Sequence, residues 1–281
     1  MNLFGRNSGN SKKEMTFIEH LDELRSCLFH SAIAVIAGAI LMWYYDNFFI
    51  KQVLMGPLHN NFPTYRFLCH LGQRLGLGSR FCMQTIAVNM QSTTVAGQFG
   101  VFFNIILIGG FILAFPYVFW QFWKFVKPCL TRKEIINTQG VIFWVSFLFF
   151  MGVFFGYFVI APYSVNFFAR FSLDSSIENR WTIASYFNTL VPIILAAGLA
   201  FQLPLVIYFL AKAGVVSVSF LRRSRRYAIL IIFVLASMIT PPDIISPFVC
   251  ALPLILLYEI SIWLCVGVER KQKKQEMEEW S

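Results

Sequence analysis

Long apolar runs alternate with short polar segments along most of the chain. None of these runs alternates apolar and polar residues with the period of two that a membrane β-barrel requires. The backbone in lipid must satisfy its hydrogen bonds internally, so the pattern predicts an all-α membrane protein with six transmembrane helices. The predicted spans are Leu28–Tyr45, Val101–Trp123, Val141–Ala161, Phe187–Ala211, Tyr227–Ile239 and Pro247–Val266.

The fifth run is shorter than the others. A helix over Tyr227–Ile239 would be about 20 Å long, whereas the hydrocarbon core of a bilayer is about 30 Å thick. The following "TPPD", Thr240 to Asp243, stops the helix because proline disrupts its continuation. We therefore expect the fifth and sixth spans to form a short hairpin that thins the bilayer locally, is shielded by its neighbours, or both.

Composition and charge agree with a membrane protein and give its orientation. Hydrophobic residues make up 57% of the chain and charged residues 13%, against about 25% charged residues in soluble domains. The net charge is +9, but the cations lie at the ends of the apolar runs and form no stripe that would indicate nucleic-acid binding. Lys and Arg total 23, and one side of the predicted membrane holds only Lys51, Arg66, Arg74, Arg80, Arg170 and Arg180.

The positive-inside rule therefore predicts that both termini are cytoplasmic. The predicted organisation is a cytoplasmic segment with an acidic amphipathic helix over residues 1–27, a six-span membrane domain over 28–266, and a charged cytoplasmic tail over 267–281. The first extracytoplasmic loop, residues 46–100, is long. Leu68, Leu71 and Leu75 have the spacing of an amphipathic surface helix. Cys69 and Cys82 lie in the same loop, where they could form a disulfide or remain free thiols.

The sequence contains no nucleophile–base constellation, no metal-ligand spacing and no nucleotide-binding lysine motif. This pattern predicts neither an enzyme nor a cofactor site. Three polar residues stand out within or beside the apolar runs: Gln202, Glu259 and Asp243. Polar groups within a membrane are candidates for functional or partner contacts. They could instead satisfy helices kinked at Pro204 and Pro253.

The segment "EHLDELR" places carboxylates directly before the first span. Thr16 and Glu19 form the pattern of a capping box. Helical spacing then gives an acidic face of Glu19, Asp22, Glu23 and Ser26. Glu23 could pair with Arg25 or with a cation of a cytoplasmic loop. It could also receive guanidinium groups from another molecule, because arginine binds carboxylates through two parallel hydrogen bonds.

Three blocks of the sequence resemble the signatures of the TatC family, the receptor and core subunit of the twin-arginine protein translocase. They are "HLDELR", "FVKPCLTRKE" and "ITPPDIISPFVCALPLILLYEI". The resemblance extends from about Phe17 to Val266, and the six-span topology with both ends inside agrees with it.

The resemblance implies a function. TatC proteins export folded proteins with the proton motive force and with TatA-type single-span subunits, and they recognise twin-arginine signal peptides on the cytoplasmic side. It also implies a bacterial inner-membrane location, with an organelle membrane as the alternative, and an oligomer. A TatB-like subunit is left open. The matched carboxylates are Glu23 and Glu134. The residues that would shape the site around them are Arg25, Leu24, Phe125, Pro128 and Leu130.

The chain departs from the family pattern at three positions. Cys129 stands where many relatives have glycine, Gln202 where many have glutamate, and Pro247 where a polar residue is usual. An amide cannot titrate, so position 202 is not expected to relay protons here. The rival interpretations are a small-solute secondary transporter, which usually shows an internal repeat that this chain lacks, and a membrane scaffold without transport.

Overall fold

The computed structural model describes residues 17–59, 61–74, 90–126, 140–174, 176, 179–212, 216–243 and 245–279. Its α-helices are α1 (Phe17–Tyr44), α2 (Asp46–Phe48), α3 (Pro63–Arg74), α4 (Gly97–Val126), α5 (Val141–Phe155), α6 (Ala161–Arg170), α7 (Ile183–Ala200), α8 (Leu203–Lys212), α9 (Val218–Arg223), α10 (Arg225–Ile239) and α11 (Ile245–Glu279). Other helical turns cover Phe49–Leu54, Gly56–Leu58 and Gly156–Ile160. A short parallel bridge joins β1 (Met90–Gln91) to β2 (Trp181–Thr182).

Five of the predicted runs are confirmed as helical segments long and apolar enough to cross a membrane. They are His20–Tyr44, Gly97–Val126, Val141–Arg170, Ile183–Lys212 and Ser246–Gly267. The predicted fifth run lies in α10, which has 15 residues, or about 22 Å of helix. The chain is thus an all-α, multi-pass membrane protein. That α10 forms a sixth span, and that both termini are cytoplasmic, remain predictions.

The third span continues well beyond its predicted end at Ala161. Pro162 has no N–H to donate to the carbonyl of Phe158, so a regular α-helix would lose a hydrogen bond there. In the structure, the π-helical turn Gly156–Ile160 leads directly into α6. The Thr64 hydroxyl donates a hydrogen bond to the Phe158 carbonyl. A side chain from a distant loop thus satisfies the group that the proline leaves open.

The other helix ends also differ from the sequence-based boundaries. The α1 helix joins the acidic segment and the first span without interruption. The fourth span is broken between α7 and α8, at Phe201 and Gln202, which lie between Pro204 and the Ala200 carbonyl that Pro204 would meet in a continuous helix. The α11 helix passes through Pro253 and continues beyond the predicted span end at Val266.

Glycines set the closest helix crossings. A Cβ atom at Gly38 in α1 would lie 2.5 Å from the Gly110 carbonyl oxygen in α4, and one at Gly110 would lie 2.5 Å from the Ala39 nitrogen. A Cβ atom at Gly152 in α5 would lie 2.7 Å from the Ala197 carbonyl oxygen in α7. Helices in lipid pack closely through such small residues because dispersion contacts and backbone proximity replace the hydrophobic effect.

A roof made of Phe49–Leu54, Gly56–Leu58 and α3 packs against the second half of the third span and the start of the fourth. Three tyrosine hydroxyls donate to its carbonyl groups: Tyr65 to Pro57 (2.6 Å), Tyr157 to Val53 (2.6 Å) and Tyr186 to Leu54 (2.8 Å). Burial raises the pKa of Tyr65, which keeps this hydroxyl protonated as a donor. A helix is present at the predicted place in this loop: α3 covers Pro63–Arg74, and Leu75 lies outside the described residues.

Candidate functional site

The start of α1 and the end of α4 lie side by side and carry the described part of the candidate site. The two helices run antiparallel, and the Cys27 thiol donates to the Gln121 carbonyl oxygen at 3.3 Å. About two turns earlier in α1, the His20 ring stacks on Phe125, with 4.3 Å between centroids and 20° between planes. Because Glu23 follows His20 by three residues and precedes Cys27 by four, it lies on the same face of α1, towards α4.

Glu23 carries an unsatisfied carboxylate oxygen. Its side chain is half-buried, and its Oε2 atom is buried with no hydrogen-bond partner within the described ranges. A buried polar atom without a partner costs free energy, so such an atom calls for an explanation. Arg25 was one of the partners predicted for Glu23. Its guanidinium carbon lies 5.6 Å from the Phe29 ring centroid. The structure thus gives Glu23 no ion pair with Arg25.

Of the remaining candidates, Leu24 is exposed and Phe125 is half-buried beneath the His20 ring. Pro128, Leu130 and Glu134 lie outside the described residues, as does Cys129. The predicted meeting of Glu23 and Glu134 therefore stays a prediction.

Two residues near the candidate site, His20 and Gln121, were not predicted from the sequence. His20 stands within the "HLDELR" block, yet its ring contact with Phe125 depends on a residue more than one hundred positions away. Gln121 is buried, and its amide Nε2 donates to the Tyr117 hydroxyl at 2.7 Å. The signal for Gln121 was its position as a lone amide in the apolar "WQFW", which indicates an internal hydrogen bond near the membrane surface.

Gln202 and Asp243 have partners at helix breaks. The Gln202 amide Nε2 donates to the Val145 carbonyl oxygen at 3.1 Å, which links the break after α7 to α5. Asp243 Oδ2 accepts from the Ser246 backbone N–H at 3.0 Å and so caps the start of α11. These contacts agree with the interpretation that such residues stabilise interrupted helices. Contacts of either residue with a partner protein stay a prediction.

Glu259 forms an ion pair. Its Oε2 atom lies 2.8 Å from a guanidinium nitrogen of Arg225, at the first residue of α10. Both side chains are partly exposed, so the pair contributes about 0–1 kcal/mol to stability in water. The sequence suggested a kink at Pro253 as the reason for Glu259, but the reason visible in the fold is this link between α10 and α11.

Cys69 is disulfide-bonded. Of the other cysteines within the described ranges, Cys27, Cys250 and Cys265 are free. Cys82 lies outside the described residues, so the pairing of Cys69 with Cys82 stays a prediction.

Comparison with known proteins gives the family. The family model for "Sec-independent protein translocase protein (TatC)" matches residues 19–253. A TatC protein of Blattabacterium (strain BPLAN) is 39% identical over 264 residues, which cover 94% of this chain and 99% of that relative. A TatC protein of Desulforapulum autotrophicum is 36% identical, with 95% and 89% covered.

A solved structure agrees with this result. The crystal structure of the twin-arginine translocase receptor TatC in DDM superposes with a TM-score of 0.65 at 29% identity, and the match covers 88% of this chain and 99% of that one. The family match, the similarity of the relatives over nearly their whole length and the shared fold agree, and the chain belongs to the TatC family of Sec-independent protein translocase proteins.

Proposed function

We propose that this protein is the receptor and core subunit of a twin-arginine translocase. It binds the paired arginines of a signal peptide at the cytoplasmic ends of α1 and α4. Together with TatA-type subunits it then exports folded proteins, driven by the proton motive force. Family membership supports this proposal, as does the description of a solved relative as a twin-arginine translocase receptor.

The observation that carries the proposal is the free oxygen of Glu23. A guanidinium group presents paired N–H donors in a planar fork that matches a carboxylate, and such charge-assisted bonds are stronger than neutral ones. The stacked rings of His20 and Phe125 lie one helical turn from Glu23, on the same face of α1. An arginine side chain arriving from the cytoplasm would satisfy an oxygen that no described residue satisfies.

The test is peptide binding to the purified protein. We expect a signal peptide with an Arg-Arg pair to bind and its Lys-Lys counterpart to bind much more weakly, because lysine lacks the planar fork. We expect Glu23→Gln to weaken binding of the Arg-Arg peptide at least about tenfold, since a hydrogen bond to a charged group contributes about 1.5–3 kcal/mol.

Asp22→Asn provides the matched control. Asp22 is the preceding residue of α1 and is exposed, so the substitution removes the same charge without touching the buried oxygen. We expect it to change the affinity little. An equal loss in both variants would show that only net charge matters. Equal binding of the two peptides would remove the receptor function and leave the transporter or scaffold interpretation.

We further propose that a TatA-type partner helix packs beside the break between α7 and α8. Gln202 lies there, and its amide has a second N–H besides the hydrogen that bonds to Val145. We expect Gln202→Leu to weaken crosslinking to a TatA-type subunit only modestly, since hydrogen bonds in membranes average about 0.6 kcal/mol. Site-specific photocrosslinking during export from Leu199, an exposed residue one turn earlier in α7, measures this with Gln202 present and with Gln202→Leu. Unchanged adducts in Gln202→Leu would assign Gln202 to the internal bond alone.

The proposal also includes the membrane in which the protein lies, its orientation and its oligomeric state. We place the protein in a bacterial inner membrane with both termini in the cytoplasm, as an oligomer that can include a TatB-like subunit. The charge asymmetry of the flanks supports this orientation, because cytoplasmic segments carry the excess of Lys and Arg.

A further inference from the structure

An apolar groove with a volume of about 510 Å³ lies beneath the roof. The end of α1 and the following turn form one wall, α5 forms the other, and α4 lies between them as the floor, with Ile105, Gly109 and Leu113 facing the groove. Residues of α7 close the inner side. Its volume falls within the range of about 300–1,000 Å³ that is typical of ligand sites.

The groove offers an occupant almost no hydrogen bonds. Tyr157 and Val53 both line it, but the Tyr157 hydroxyl donates to the Val53 carbonyl at 2.6 Å. The Phe158 carbonyl accepts from Thr64, and the Leu54 carbonyl accepts from Tyr186. With these polar groups already paired, the surface that remains is hydrocarbon, except for Gln52 at the outer edge. A polar solute or water would lose hydrogen bonds there, whereas an alkyl chain would not.

The groove opens towards the lipid. Phe154, which is 59% exposed, and Leu113, which is 37% exposed, both line it and belong to membrane-spanning helices. Gly109 lies about 18 Å from the start of α4. The groove therefore extends from the roof to near the middle of the bilayer, over the depth of one leaflet.

The roof limits which kind of molecule the groove can hold. Phe62 is buried between the rings of Tyr157 and Phe158, at centroid distances of 5.4 Å and 5.7 Å, and it lines the outer end of the groove together with Pro63. A transmembrane helix is about 10 Å wide with its side chains and crosses the whole bilayer, so the roof blocks its path. An acyl chain is narrow, ends near the bilayer centre and enters from the side.

We propose that this groove holds one acyl chain of a phospholipid from the leaflet on the roof's side, with the lipid phosphate beside Lys51. Lys51 is exposed and immediately precedes Gln52 at the outer edge of the groove, so its cation complements a phosphate at headgroup depth. This site is separate from the cytoplasmic end of α1 and does not depend on signal-peptide binding.

The experiment uses the full chain, reconstituted in phosphatidylethanolamine vesicles that contain phosphatidylglycerol with a diazirine in its acyl chain. After irradiation, peptide mapping locates the lipid adducts. We expect adducts concentrated in residues 105–113 and 150–158. We expect Ile112→Trp and Leu113→Trp, which fill the groove, to reduce these adducts several-fold. We expect Leu107→Trp, on a lipid-exposed face of α4 outside the groove, to leave them unchanged.

Two further comparisons identify the source of the signal. Lys51→Gln should lower the adduct yield several-fold for the phosphatidylglycerol probe if the cation holds the phosphate, and an unchanged yield would remove the headgroup part of the proposal.

Equal labelling of all lipid-facing segments, unaffected by both groove-filling variants, would mean ordinary boundary lipid. Loss of the adducts when a signal peptide or a TatA-type helix is added, with protein adducts in their place, would make the occupant a polypeptide and overturn the proposal. Gel filtration of each variant verifies its fold before labelling.

Discussion

Gly110→Ala is expected to destabilise the protein by about 3 kcal/mol, at the upper end of the cost of inserting a methyl group into a packed interface. The new Cβ atom would lie 2.5 Å from the Ala39 nitrogen and 2.8 Å from the Ala39 Cα atom. Both are backbone atoms, so no side-chain rotation can relieve the overlap, and α1 must move away from α4. Thermal unfolding of the purified protein in detergent measures the loss.

The movement of α1 also has a functional consequence. The contact of His20 with Phe125 and the position of Glu23 depend on the register between these two helices. We therefore expect Gly110→Ala to weaken signal-peptide binding as well. Gly100→Ala, in the same helix, is the control: a Cβ atom there would meet nothing within 4 Å, and replacing glycine within a helix is favourable by about 1 kcal/mol. A Gly110→Ala protein that melts like Gly100→Ala would contradict this helix contact.

The double variant Tyr157→Phe/Tyr186→Phe should release the roof from the spans below it. Each substitution leaves a carbonyl of the roof, at Val53 or Leu54, without its hydroxyl partner. An unsatisfied buried group costs about 1–3 kcal/mol, so the pair should cost about 2–6 kcal/mol if the two effects add. We expect a lower unfolding temperature and faster trypsin cleavage after Lys51 and other exposed cations of the roof.

Tyr44→Phe is the matched control for the roof. Tyr44 lies at the end of α1, its side chain is 80% exposed, and its ring contacts Tyr45. Removal of its hydroxyl should change neither the unfolding temperature nor the cleavage rate. If the double variant were cleaved no faster than Tyr44→Phe, packing around Phe62 rather than the hydroxyl groups would hold the roof.

Apolar periodicity was sufficient to predict the class of fold, because lipid requires helices and long apolar runs mark them directly. The sequence pattern did not predict the local structure where a residue distant in the sequence satisfies a backbone carbonyl. The third span was predicted to end at Ala161, yet it continues past Pro162, and Thr64 of α3 donates to the Phe158 carbonyl that Pro162 leaves without a donor. The roof contacts of Tyr157 and Tyr186 could not be predicted for the same reason, since each joins residues more than one hundred positions apart.

The candidate site was likewise only partly predictable from the sequence. The position of Glu23 directly before the first apolar run follows from the sequence alone. Its free oxygen does not, because that depends on where Arg25 points and on how α4 packs against α1. Glu259 was noticeable as a charge in an apolar run, but its pairing with Arg225 became visible only once α10 and α11 lay side by side.

The π-helical turn Gly156–Ile160 changes the rotation of the following helix, α6, about the axis of the third span. Such a turn holds one residue more than an α-helical turn, and one residue corresponds to about 100° around the helix axis. The α6 helix is therefore turned by about that angle from the orientation that an unbroken α-helix would give it. Ser164 and Val165 are buried in this orientation. The angular phase of the third span thus changes partway along it, so one helix presents differently directed faces to its neighbours near its two ends.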